Sequence, residues 1–88
     1  MFIKTQDGQC IVNTDKVSQI AFSDPEGRTI MAFMTDEYIN VTLGTYKDPM
    51  DADSAFTSLC ITMAEGCGYY AFPKDLRPAK QEGNGENA

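Results

Sequence analysis

Residues 48–68 read DPMDADSAFTSLCITMAEGCG, and this stretch decides the fold class because it carries the strongest helix signal in the chain. Asp48 is a favoured N-cap residue, Pro49 suits the first helical position, and Asp51 places an acid in the first turn. Gly66 supplies a stop for the helix. Apolar side chains recur at helical spacing, at Ala52, Ala55, Phe56, Leu59, Cys60, Met63 and Ala64. The pattern predicts one amphipathic helix that packs on a sheet.

The chain before this helix has the alternation and the turn residues of short β-strands. Asp7-Gly8 separates two alternating apolar runs, which is a strong signal for a β-hairpin. Further strands are predicted at residues 17–22, 28–35 and 38–43, because each run of β-forming side chains is bounded by turn-forming residues. Together these strands predict an antiparallel meander.

The chain after the helix contains one more predicted strand and then changes composition. Residues 68–72 are rich in β-forming side chains and end at Pro73, which predicts a short edge strand. From Lys74 onward the residues are almost all polar. We therefore predict a single α+β domain over residues 1–73, in which about five strands form the meander and one amphipathic helix packs on it. Residues 74–88 are predicted to be a disordered polar tail.

The chain is acidic, with 13 Asp and Glu residues against seven Lys and Arg residues and a net charge of −6. It contains no cluster of basic residues, so we expect no direct binding to nucleic acid. Solubility is one explanation of the acidity. The other is an acidic surface that imitates the phosphates of nucleic acid in a basic cleft, as an anti-CRISPR-like inhibitor would.

The cysteines and the apolar runs bear on the expected location. Three cysteines, with no signal-peptide pattern before them, predict reduced thiols and a cytoplasmic protein. The longest charge-free stretch covers only residues 54–64, so no membrane-spanning segment is expected.

The residue types needed for common catalytic and metal sites are missing. The chain has no histidine, which removes the commonest general base and zinc ligand. Cys60 falls within the apolar stripe of the predicted helix, where a buried thiol would be inert. No cofactor, metal or catalytic site is predicted. A carboxylate–metal reaction at Asp36 and Glu37 is the remaining enzymatic alternative.

Aromatic residues give the best functional lead. Tyr69, Tyr70 and Phe72 lie close together before the tail, and Tyr46 follows the last strand of the meander. Interfaces between proteins are enriched in such side chains, so we predict that these four residues bind a protein partner. An open strand edge could also pair with a partner or with a second copy, which makes a homodimer an alternative.

Three segments carry a resemblance to known proteins: MFIKTQDGQCIVNTDKV at residues 1–17, VTLGTYKDPMDADSAFTSL at 41–59 and GYYAFPKD at 68–75. Together they resemble small uncharacterised proteins of Gram-positive bacteria and of their phages and mobile elements. The resemblance covers about residues 1–75 and rests on turn and cap motifs. The resemblance implies an origin in such a bacterium, phage or mobile element. It implies no activity, cofactor or site residue. This chain departs from the group at PMDADS, where a more Glu-rich helix start is expected, and at two of its cysteines.

These observations lead to one expected function and two alternatives. The expected function is a non-enzymatic protein-interaction module of phage or mobile-element origin that binds a host or element-encoded protein. The alternatives are the acidic inhibitor described above and a homo-oligomeric structural or regulatory subunit.

Overall fold

The computed structural model of the chain describes residues 1–35 and 39–75, and it confirms the α+β class. The described residues form six strands and one α-helix. In chain order these are β1 (Phe2–Lys4), β2 (Ile11–Asn13), β3 (Val17–Phe22), β4 (Thr29–Met34), β5 (Asn40–Thr45), α1 (Pro49–Ala64) and β6 (Tyr69–Ala71), and a 3₁₀ turn over Thr14–Lys16 joins β2 to β3. The predicted hairpin, helix and C-terminal edge strand are confirmed.

The strands divide between two three-stranded sheets instead of following one another in a single meander. β3, β4 and β5 form an antiparallel sheet in that order. β1 lies at the centre of the other sheet, antiparallel to β2 and parallel to β6. A hairpin of three-residue strands is only marginally stable alone, so the N-terminal hairpin gains its third strand from the C-terminal end of the domain.

Helix α1 packs against both sheets. The ring of Phe56 on α1 lies 5.1 Å from the ring of Phe22 on β3, measured between centroids. On the other side of the helix, the Tyr70 hydroxyl of β6 donates a hydrogen bond to the Ala55 carbonyl oxygen at 3.2 Å. One core is therefore shared by both sheets and the helix, and its buried residues are Ile3, Val12, Ile30, Ala32, Leu43, Tyr46, Ala52, Ala55, Leu59 and Phe72.

The start of α1 has the predicted capping arrangement. The Asp48 side chain accepts a hydrogen bond from the Met50 backbone N–H at 2.9 Å, and Pro49 occupies the first turn. These residues satisfy or remove donors that the helix itself leaves free.

The buried stripe of α1 is narrower than predicted. Ala52, Ala55 and Leu59 are buried, whereas Cys60 is exposed and Met63 is 46% exposed. The predicted stripe covers about half of the helix circumference at 100° per residue. The two sheets cover only part of that arc, so Cys60 at its edge remains in solvent, and Met63 is exposed in the last turn of the helix.

The start of β5 and the C-terminal end of the domain differ from the predicted boundaries. β5 begins at Asn40, and Ile39 lies outside the strand with 55% of its side chain exposed. At the other end, the Lys47 backbone N–H donates a hydrogen bond to Asp75 Oδ2 at 2.9 Å, so the contacts of the domain continue two residues past Pro73. The rest of the predicted tail, residues 76–88, lies outside the described residues.

Candidate protein-interaction surface

The β2–β1–β6 sheet has one face against the core and one face in solvent. Ile3 and Val12 are buried, and Tyr70 packs against the core beside them. Because side chains alternate along a strand, their neighbours point the other way. We call this second side the outer face, and it is formed by Phe2, Lys4, Ile11, Asn13, Tyr69 and Ala71.

Three large apolar side chains dominate the outer face. Phe2 is 50% exposed, Ile11 is 65% exposed and Tyr69 is 53% exposed. Phe2 is the register partner of Tyr69, and Ile11 is the partner of Lys4 in the next row of the sheet. Ile11 is thus a diagonal neighbour of Phe2, which is within reach of long and aromatic side chains. The three residues form one apolar patch.

Lys4 is the only charged residue of the outer face. Its Cε lies 3.7 Å from the position that a Cβ at Gly8 would occupy, so the lysine stem extends toward the hairpin loop. Phe2 and Tyr69 therefore lie at the end of β1 away from this lysine, whereas Ile11 lies beside it.

Sequence reasoning found Tyr69 but missed Phe2 and Ile11. The signal that could have found them is a pair of consecutive apolar residues in a short strand, as in Phe2-Ile3 and Ile11-Val12. Consecutive strand residues face opposite sides of a sheet. One member of each pair must therefore remain exposed when only one side is covered.

The other three residues predicted to bind a partner do not lie on this surface. Tyr46 and Phe72 are only 2% and 4% exposed, and Tyr70 is partly buried. Residues 70 and 72 alternate with Tyr69 and point inward, so the structure does not bring them together with Tyr69 on one face, and their binding to a partner stays a prediction. The Tyr46 side chain is buried in the core, where its hydroxyl group forms a hydrogen bond.

These three aromatic residues hold β6 against the rest of the domain. The Tyr46 hydroxyl donates to the Pro73 carbonyl oxygen at 2.6 Å, and the Tyr70 hydroxyl donates to Ala55. The rings of Tyr70 and Phe72 pack edge to face with centroids 5.3 Å apart. Burial raises the pKa of Tyr46 to about 12. The core side of the sheet, opposite the outer face, is therefore closely packed and hydrogen-bonded.

Acidic residues stand at both ends of the outer face. Asp7 is in the loop between β1 and β2. Asp15 lies in the 3₁₀ turn after β2 and Glu65 precedes β6, and the strand directions bring both to the opposite end of the sheet. Bases stand beside these acids at both ends, because Lys16 follows Asp15 and the charge of Lys74 acts on Asp7. The net charge of −6 gives the chain as a whole a negative potential at long range.

Several carboxylates are engaged inside the fold. Asp7 Oδ1 accepts hydrogen bonds from the Thr5 hydroxyl at 2.6 Å and from the Gln9 backbone N–H at 2.9 Å. These bonds, with that from Thr5 the stronger influence, hold the pKa of Asp7 below its ordinary value. Asp24 accepts from two backbone N–H groups of its own turn, and Asp48 caps α1. The phosphate-imitating inhibitor stays a prediction, and these three carboxylates already have structural roles.

The described residues were compared with the requirements of a metal site and of a ligand pocket. Residues 1–35 and 39–75 contain no group of three or more His, Cys, Asp or Glu side chains that could hold a metal ion. A cleft of about 230 Å³ lies between α1 and β6, lined in part by Tyr46, Ser58 and Lys74. A second cleft of about 300 Å³ is lined in part by Arg28 and Lys47, and it reaches only the lower end of the usual range for ligand pockets, about 300–1,000 Å³.

One of the three thiol groups differs from expectation. Cys10, Cys60 and Cys67 are all free and exposed, so the expected burial of Cys60 in the helix stripe is wrong. Cys60 lies on the uncovered edge of that stripe.

Comparison with protein-family models, with curated proteins and with solved structures finds no significant match. Among the described residues, the single helix is too short and too polar to cross a membrane. Function must therefore be inferred from the surface itself.

Proposed function

We propose that this protein is a small, non-enzymatic interaction module that binds another protein through the outer face of the β2–β1–β6 sheet. The observation that supports the proposal is the exposure of Phe2, Ile11 and Tyr69 side by side on one sheet face. Scattered exposed apolar residues are ordinary, but a contiguous patch with a polar border is typical of interaction sites. Two of its three members are aromatic, as is common at interfaces.

The net charge of the chain indicates the chemistry of the partner. At −6 it would attract a partner that has an apolar centre and a net positive charge. Lys4 lies within the face and would meet a carboxylate or carbonyl oxygen of the partner. We expect association to be slower and weaker at high salt, because screening reduces the attraction between opposite charges.

The resemblance to proteins of Gram-positive bacteria, phages and mobile elements gives the proposal its biological setting. In that setting the partner is a cytoplasmic protein of the host or of the element. This setting is part of the proposal, and it selects the lysate for the experiment.

The experiment is affinity capture from a Gram-positive lysate with tagged protein, followed by mass spectrometry. Three forms are compared: the wild type, a Phe2→Ser/Tyr69→Ser variant, and an Ile61→Ser variant as the matched control. Ile61 is 53% exposed on α1 and lies away from the outer face, so its replacement removes a similar exposed apolar group. Tyr70 is left intact because its hydroxyl binds the helix backbone.

The proposal expects a partner that the wild type and Ile61→Ser capture and that the double variant loses. Purified partner should then bind the wild type at least about tenfold more tightly than the double variant, a difference of about 1.4 kcal/mol. Circular dichroism must give all three forms the same melting behaviour. A partner retained by the double variant, or lost equally by Ile61→Ser, would place binding elsewhere and contradict the proposal.

A further inference from the structure

Strand β3 has a free edge. Within the described part of the chain, β3 pairs only with β4. The Ser23 backbone N–H donates to the Thr29 carbonyl oxygen at 3.0 Å at the end of this ladder. In an antiparallel ladder, alternate residues direct their backbone groups toward the same neighbour. Ile20 and Phe22 therefore direct their N–H and C=O groups away from β4, toward the open side.

An apolar groove runs beside this edge. It has a volume of about 280 Å³ and lies between β3 and α1. Ile20 lines it from the strand, and Phe56 and Met63 line it from the helix. Free backbone donors and acceptors next to an apolar groove are the two features that an added β-strand requires.

The other long edge strand is protected, whereas no residue in 1–35 or 39–75 pairs with the open edge of β3. The outer edge of β5 is occupied by Gln6, whose backbone N–H donates to the Leu43 carbonyl oxygen at 2.8 Å. The edge strands of the second sheet, β2 and β6, have only three residues each. β3 has six residues, VSQIAF, with no charged residue and no proline, and its single irregularity is a bulge between Val17 and Gln19. Charge, proline and short length are the usual protections of an edge.

We propose that β3 pairs antiparallel with β3 of a second copy of this chain, which joins two three-stranded sheets into one six-stranded sheet. Antiparallel pairing of a strand with itself satisfies two-fold symmetry, so no second sequence is needed. In this arrangement both α1 helices lie on the same side of the joined sheet. Their exposed groove residues, Met63 among them, are brought toward each other and away from water.

The charge distribution is compatible with self-pairing at this edge. Each copy carries a net charge of −6, but residues 17–22 carry none. Repulsion between copies therefore comes from charges outside the strand, such as the exposed Asp53 of α1, and salt screens it. Dimerisation should strengthen as salt is added, the opposite of the salt dependence proposed for the basic partner. The two proposals use different surfaces and can fail independently.

The first test is sedimentation velocity over a range of protein concentrations with two lysine variants. Gln19→Lys adds a charge to the exposed side of the β3 edge. A charge on an exposed strand is one of the usual protections against pairing between edges. Thr57→Lys adds the same charge at an exposed helix position that is not part of the groove. Both variants make the net charge less negative, so a loss of dimer in one alone cannot come from overall repulsion.

We expect a concentration-dependent dimer for the wild type and for Thr57→Lys, and association at least about tenfold weaker for Gln19→Lys. Hydrogen exchange tests whether β3 forms the dimer interface. The backbone amides of Ile20 and Phe22 should exchange quickly in dilute protein and become protected as dimer forms. A monomer at every concentration would overturn the proposal. A dimer that Gln19→Lys leaves unchanged, or that leaves both amides unprotected, would overturn it as well.

Discussion

The side-chain amide of Gln6 forms two hydrogen bonds with the backbone of Thr45. Gln6 Nε2 donates to the Thr45 carbonyl oxygen at 2.9 Å, and the Thr45 backbone N–H donates to Gln6 Oε1 at 3.0 Å. A side-chain amide has the same donor and acceptor as a peptide group, so Gln6 takes the place of a neighbouring strand residue beside β5. It also links the hairpin loop of one sheet to the edge of the other.

Replacing Gln6 with Glu should test this link, because a carboxylate can accept from the Thr45 N–H but cannot donate to its carbonyl oxygen. We expect a loss of about 1 kcal/mol in the free energy of unfolding, the usual net value of one hydrogen bond. Urea denaturation measures it. Gln9→Glu, in the exposed part of the same loop, adds the same charge without this pairing. Equal stability of the two variants would mean that the Gln6 bonds contribute nothing.

Gly44 is a second position where β5 meets its neighbours closely. A Cβ there would lie 3.1 Å from Phe72 Cδ2 and 3.1 Å from Tyr46 Cε2, which is tighter than ordinary contact. Gly44→Ala should destabilise the domain by about 1–3 kcal/mol, because two packed aromatic rings must shift. Gly68→Ala is the control, since a Cβ at Gly68 meets nothing within 4 Å. Thermal unfolding should separate the two variants, and a Gly44→Ala protein as stable as Gly68→Ala would contradict the packing.

The local elements of this fold could be predicted from the sequence because each has a short-range cause. Asp48 and Pro49 fix the start of α1, and Asp7-Gly8 fixes the hairpin. The division into two sheets could not be predicted in this way. β1 and β6 have three residues each and pair across almost the whole chain, and no local pattern specifies such a pairing.

The candidate surface was predictable only in part, for a related reason. A tyrosine can be exposed, as Tyr69 is, or buried with its hydroxyl bonded to a backbone carbonyl, as Tyr46 is. Composition does not distinguish these two cases. The distinction depends on which side of β6 the helix covers, and that follows from the sheet order.

The buried hydroxyl of Tyr46 should make stability depend on alkaline pH. Burial raises its pKa to about 12 in the folded protein, above the ordinary value of 10.0. The stabilisation is fully present below pH 10, and it is lost as the pH rises toward 12 because the unfolded chain releases its proton first. We expect the urea midpoint of the wild type to fall more steeply over this range than that of Tyr46→Phe. Parallel curves would show that Tyr46 ionises equally in both states.

The same Tyr46→Phe variant has an expected effect at neutral pH. It removes the donor to the Pro73 carbonyl oxygen, so the free energy of unfolding should fall by about 1 kcal/mol. Tyr69→Phe removes a hydroxyl from an exposed ring and serves as the control. A loss of similar size in both variants would argue against a specific role for the Tyr46 hydrogen bond.

Cys60 provides a chemical test of the narrow helix stripe. All three thiols are exposed, so native protein at low concentration should react fully with a disulfide reagent such as Ellman's, without added denaturant. Cys60→Ser should lose one of three equivalents and should change stability by less than about 0.5 kcal/mol. A slow fraction that appears only on unfolding, and that Cys60→Ser removes, would mean that the thiol is buried after all. Cys60 also lines the groove beside β3, so its reaction should slow as protein concentration rises if the proposed dimer forms, while Cys67 should be unaffected.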